Sequence, residues 1–242
     1  MQLFPSEVIY IVTPSSKECE QARLLSYCEG VARFVNWLNS ATGATANQYH
    51  IVGHSLGGHQ AGIVARNVNG NVAYITALDP AQPGWITNDH KLRGSDSSYT
   101  EVIHTNAGVL GYLGTLGHTD FYPNGGINMP GCSSQDCDHS RRRFANDRVV
   151  SKWLFGNMNS LSESTAGRKL TRAAPFVTCY HYLAESLTSG IFTGRRCATY
   201  IAAMTGNCLL WGNLVMGGLV PKTGQSGIYW LETNAAPPFA RG

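Results

Sequence analysis

Residues 49–65, YHIVGHSLGGHQAGIVA, constrain the fold more than any other segment. A short apolar run, 49–52, meets a G-x-S-x-G sequence, Gly53 to Gly57, and passes at once into a stretch whose small residues Gly58, Ala61, Gly62 and Ala65 recur at helical spacing. Strand, sharp turn and helix in that order hold a serine in a strained turn, and the glycines let neighbouring backbone approach closely. Small residues on the sheet-facing side bring the helix N-terminus near Ser55, where its dipole favours a developing anion. G-x-S-x-G also arises by chance in glycine-rich chains, and this one carries 27 Gly. The strand before it and the small-residue helix after it are what make Ser55 a candidate nucleophile.

A serine hydroxyl needs a base, and the base needs an orienting acid. The next apolar run, 72–78, ends in Asp79-Pro80. An acid at the C-terminal end of the neighbouring strand lies on the same sheet edge as Ser55; the plainer alternative is that Asp-Pro merely ends a strand. Five histidines follow: His90, His104, His118, His139 and His181. His104 falls inside a predicted strand and reads as a structural hydrogen bonder, whereas His90 and His118 lie in loops and stay open. His139 follows the close pair Cys132 and Cys137, whose cross-link would stiffen the loop presenting it. Zinc held by Cys132, Cys137 and His139 lacks a fourth ligand at normal spacing.

The continuous apolar runs 8–12, 49–52, 72–78 and 101–105, with helical spacing over 17–39 between the first two, predict a mostly parallel sheet with helices on both faces. Residues 227–233 form a further strand candidate, and Tyr122-Pro123-Asn124-Gly125-Gly126 marks a turn. No repeat or linker divides the 242 residues, so one α/β domain is expected over 1–242. A formal net charge of +3, with Arg141-Arg142-Arg143 the one basic run, argues against a nucleic-acid partner. Seven cysteines, among them the close pairs Cys132/Cys137 and Cys197/Cys208, suit disulfide-closed loops in an oxidising compartment. The opening MQLFPSEVIYIVTPSSK does not have the pattern of a secretory signal.

The segments VGHSLGGHQAG (52–62), ALDPAQPGW (77–85), EVIHTNAG (101–108), GHTDFYPNGGINMPGC (117–132), CDHSRR (137–142), YHYLAESL (180–187) and YWLETNAAPPFARG (229–242) resemble the pancreatic-lipase family, especially its secreted insect lipases and phospholipases A1. The resemblance implies an α/β-hydrolase fold, secretion and hydrolysis of lipid esters. It implies a triad of Ser55, Asp79 and His139, with the Leu56 N–H in the oxyanion hole. The implied partner is a phospholipid or acylglycerol, met by transient contact with a lipid surface, and no cofactor is called for. Short loops closed by Cys132–Cys137 and Cys197–Cys208 follow, with Cys19–Cys28 a third pair if the first helix starts after Cys28.

Four departures shape the expectations. The family's upstream strand and H-G-F-type turn, which supply a second oxyanion donor, have no counterpart before residue 8, so the sheet is expected to lack its first strands. Only Ser133–Asp136 separate Cys132 from Cys137, a lid length more typical of phospholipases A1 than of triacylglycerol lipases. Asp96 matches one calcium ligand of the vertebrate enzymes, but Arg93 stands where another carboxylate belongs, so no metal is expected. Their C-terminal β-sandwich is absent from these residues. Residues 143–179 interrupt the resemblance and are expected as an insertion outside the core. A non-catalytic, lipid-binding relative of the yolk-protein type is the alternative from another functional class; the intact triad opposes it, the missing turn favours it.

Overall fold

The computed structural model describes residues 7–11, 20–131, 175–188 and 190–242. Among the described residues eight strands form one sheet: β1 (Glu7–Ile11), β2 (Tyr49–His54), β3 (Tyr74–Leu78), β4 (Tyr99–Ile103), β5 (Thr119–Pro123), β6 (Phe192–Cys197), β7 (Asn213–Met216) and β8 (Gly227–Leu231). Their spatial order is β1-β2-β3-β4-β5-β8-β6-β7. The first five and β8 run parallel, while β6 pairs antiparallel with both β8 and β7.

Alternate residues on the strands face two separate apolar layers. Ile51, Ile75, Ala77 and Val102 pack beneath helices α1 (Glu20–Thr42) and α2 (Leu56–Asn67), meeting Cys28, Ala32 and Val35 of the first and Ala61, Val64 and Ala65 of the second. Val52, Leu78, Ile103 and Phe121 point the other way, toward Cys179, Tyr180, Tyr182 and Leu183 of α3 (Pro175–Ser186). A short α4 (Tyr200–Met204) packs Ala203 onto Tyr122 and Cys197. The expected mostly parallel sheet, covered on both faces, is therefore present.

Several expectations change. The first helix runs unbroken through Cys28, whose thiol is buried in the core and forms no disulfide, so the later helix start and the Cys19–Cys28 bridge do not occur. Apolar contact with Ala32 and Val35 gives Cys28 a packing role instead. Of the segment 143–179, residues 175–179 belong to α3, and Cys179 is fully buried among Leu78, Ile103 and Phe121. Helical continuity with 180–186 draws those five residues into the fold; 143–174 lie outside the described residues. Strands β5, β6 and β7 were not anticipated. Cys197 and Cys208 form the expected disulfide, whereas Cys132 and Cys137 lie outside the described residues.

Candidate active site

The C-terminal ends of β2 and β3 carry the site. Their register sets His54 beside Leu78, so the next residues, Ser55 and Asp79, leave the sheet side by side. Both have left-handed backbone, Ser55 at φ 54°, ψ −119° and Asp79 at φ 45°. Non-glycine residues take such conformations at a cost of about 1–3 kcal/mol, and surrounding contacts must hold them there. Those contacts are backbone bonds: Ser55 N–H donates to Leu78 O at 2.9 Å, Ala81 N–H to Ser55 O at 3.1 Å, and Asp79 N–H to Ile103 O at 2.8 Å.

Glycines make the turn possible. A Cβ on Gly53 would sit 2.0 Å from the Gly57 carbonyl oxygen, and one on Gly58 would press on Pro80 at 3.3 Å. Leu56 opens α2, so its N–H belongs to the first turn, where donors have no intrahelical acceptor. His59 then locks the helix to the strand-end loop. Its Nε2 lies 2.7 Å from the Ala81 carbonyl and its Nδ1 accepts from Leu92 N–H at 3.1 Å, so the ring is neutral with its proton on Nε2. Burial pushes its pKa down to about 4. The ring also stacks on Trp85 at 4.1 Å.

Asp79 is buried, and Oδ1 accepts from the N–H groups of Thr105 at 3.0 Å and Asn106 at 2.8 Å. Burial pushes its pKa up to about 6, opposed by those two N–H groups and by nearby His104. Gly111 closes over the carboxylate, since a Cβ there would come within 2.3 Å of Oδ1. No described residue donates to Oδ2, the oxygen available to an imidazole.

His104 is a structural hydrogen bonder, as expected. It is fully buried, with Nδ1 3.0 Å from the Tyr112 carbonyl, Nε2 2.9 Å from Asp120 Oδ1, and its ring stacked on Tyr122 at 4.2 Å. It thereby anchors both ends of the 105–112 loop that bonds Asp79, because Tyr112 N–H in turn donates to Pro80 O. His118 accepts from Thr100 N–H, His90 is exposed on a loop, and the His181 ring meets Phe239. None of these three is placed at Asp79 by any contact described. His139 lies outside the described residues.

Asp96 is no open ligand: both oxygens accept from Arg66 Nη1 at 2.7 Å, and Oδ2 also accepts from Arg93 N–H. Among the described residues no group of three His, Cys, Asp or Glu side chains is arranged to hold a metal. Sequence reasoning missed the Thr105 and Asn106 donors, Gly111 and the His59 clasp. The GHQAG (58–62) and HTNAGVLG (104–111) stretches carried those residues, but nothing local revealed their partners.

A serine on a left-handed turn between a parallel strand and a helix, beside a buried carboxylate at the next strand end, defines an α/β-hydrolase. A family model described as Lipase matches residues 15–141, and the chain belongs to that family, in its pancreatic-lipase branch. It is 34% identical over 232 residues to the pancreatic triacylglycerol lipase of Oryctolagus cuniculus, covering 87% of this chain and 45% of that protein. Against the same-named protein of Homo sapiens it is 31% identical, again over 87% and 45%. With that of Ictidomys tridecemlineatus the identity is 44%, over 74% of this chain and 36% of the relative. The chain thus spans less than half the length of these relatives.

Proposed function

We propose that this chain is a serine ester hydrolase of glycerolipids, with Ser55, Asp79 and His139 as its triad. The placement of Ser55 and Asp79 on adjacent strand ends, each held at positive φ, carries the reading. Ser55 Oγ attacks the acyl carbon while His139 takes its proton and returns it to the departing alcohol. Asp79 Oδ2 orients the imidazole, its Oδ1 being already engaged. Leu56 N–H receives the oxyanion at the head of α2, where the helix dipole adds to the hydrogen bond. The acyl-enzyme then yields to water by the same steps.

The substrate favoured by the four residues between Cys132 and Cys137 is a phospholipid, cleaved as a phospholipase A1 at sn-1. Triacylglycerol is the second reading, favoured by the names of the relatives. The Cys197–Cys208 disulfide supports work outside the cell, where such bonds persist. We place all of 1–242 in one domain. Release of fatty acid from phosphatidylcholine and from triolein, each with and without Ser55→Ala, tests the proposal. A Ser55-dependent rate on phosphatidylcholine above that on triolein fits it, and the reverse order selects the second reading. Tight lipid binding with no Ser55-dependent hydrolysis would instead select the lipid-binding alternative.

A further inference from the structure

The loop between α4 and β7 holds its most apolar residues in water. Leu209, Leu210 and Trp211 are 84%, 46% and 97% exposed. Collapse onto the protein is prevented at both ends of the tripeptide. Cys208 is tied to Cys197 by the disulfide, and the Gly212 carbonyl accepts from Arg196 N–H at 3.0 Å. Three apolar side chains pinned outward at adjacent positions are costly to keep hydrated unless something covers them.

The charge around the loop says what that cover is. Between Glu185 and Glu232 the chain has no Asp or Glu, yet it carries Arg195, Arg196 and Lys222. Lys222 is engaged with buried Glu101, but Arg195 and Arg196 are exposed on β6, beside the loop's base. Arg195 also lies over the Trp230 ring at 5.7 Å, which fixes the direction of its guanidinium. An apolar tip next to arginines that form no ion pair among the described residues matches an anionic membrane surface, with leucine and tryptophan entering the headgroup boundary and arginines meeting phosphates.

We propose that Leu209, Leu210 and Trp211, with Arg195 and Arg196, form an anchor for an anionic phospholipid surface. This rests on the glycerolipid reading above for why the chain meets such a surface. In strand order the loop lies at the β6–β7 edge, six strands from β2, and it leaves the sheet at the end opposite the Ser55 turn, so the two are more than about 30 Å apart at the usual strand spacing of about 4.8 Å. The anchor is thus separate from the Ser55 turn and acts by holding the chain on the lipid.

Flotation of the full chain with ether-linked phosphatidylglycerol vesicles, which have no ester to hydrolyse, tests the anchor. Wild type floats, and Leu209→Ser/Trp211→Ser lowers its partition at least about tenfold. Arg195→Gln/Arg196→Gln abolishes the preference for phosphatidylglycerol over ether-linked phosphatidylcholine, while hydrolysis of soluble p-nitrophenyl butyrate is unchanged in both variants. A double serine variant that floats like wild type overturns the anchor. So does a lipid-free wild-type dimer that this variant loses, because a second copy would then be the cover. A wild type that floats but leaves p-nitrophenyl butyrate intact supports the anchor while removing the catalytic reading.

Discussion

Asp79→Asn should stabilise the protein while nearly abolishing its activity. The asparagine carbonyl oxygen can keep both hydrogen bonds from Thr105 and Asn106 N–H, so neither of those backbone donors is orphaned. What disappears is the expense of ionising a buried acid. Burial raises the carboxyl pKa from 3.8 to about 6, so above pH 6 the folded state holds a charge that it disfavours relative to the unfolded chain. At 1.36 kcal/mol per tenfold, that difference reaches about 3 kcal/mol at pH 7. Because the folded pKa lies above the unfolded one, the penalty is fully present above pH 6 and fades as pH falls through the window toward 3.8. Urea unfolding of wild type and variant at pH 7, 5 and 4 measures it. The variant should lead by up to about 3 kcal/mol at pH 7, by about half that at pH 5, and by about 0.5 kcal/mol at pH 4. Activity should drop on the order of 10⁴-fold, since an amide neither fixes the imidazole tautomer nor stabilises its charge. A variant less stable than wild type at pH 7, or a lead that does not shrink with acid, would refute the electrostatic account of Asp79.

Other consequences are equally direct. His50 and His59, held neutral by burial with pKa values lowered to about 3 and about 4, make the wild type lose stability as pH falls below 6.5, because the unfolded chain binds those protons first. Urea midpoints should therefore decrease from pH 7 to pH 5, more steeply in Asp79→Asn, and a rise in both proteins would contradict this. Gly53→Ala drives a methyl into the Gly57 carbonyl, so it should cost about 2 kcal/mol or more and at least about a hundredfold in esterase rate; wild-type kinetics would show that the elbow tolerates the shift. Lys222→Met removes the cation bonded at 2.6 Å to fully buried Glu101, leaving its charge to the Tyr74 and Tyr99 hydroxyls and the Gly217 N–H, and should lower stability by about 3 kcal/mol. Adding Glu101→Gln should recover part of that loss, and a double variant no more stable than the single one would deny the coupling.

The parts of the fold legible in the sequence were those written locally. VIYIV, YHIV and VAYITAL are continuous apolar runs, and the elbow's strand, turn and helix follow one another within 49–65. Strand β5 was hidden because its first two residues are polar yet buried and satisfied from a distance, while its last two open the turn signal at 122–126: Thr119 bonds the Tyr99 hydroxyl, and Asp120 bonds His104 and the N–H groups of Leu116 and Gly117. The FTGRRC of β6 has exposed arginines, and its glycine is there because the Phe121 ring lies 2.9 Å from where a Cβ would be. Its antiparallel pairing breaks the alternation of strand and helix that the first half establishes. Within the candidate site, Ser55 was legible from the G-x-S-x-G turn with its flanking strand and helix, and Asp79 from the end of the next apolar run. The loop that supports Asp79 could not, because its donors are backbone N–H groups whose sequence leaves no trace of what they bind.

The central claim is that Ser55 is an activated nucleophile. A fluorophosphonate probe tests it most directly, because phosphonylation requires the hydroxyl to attack, and peptide mass mapping then locates the adduct. The account predicts one adduct per chain, on Ser55, lost in Ser55→Ala and slowed by at least about a hundredfold in His139→Ala. A folded wild-type chain that takes no adduct, or takes it at a residue other than Ser55, would contradict it.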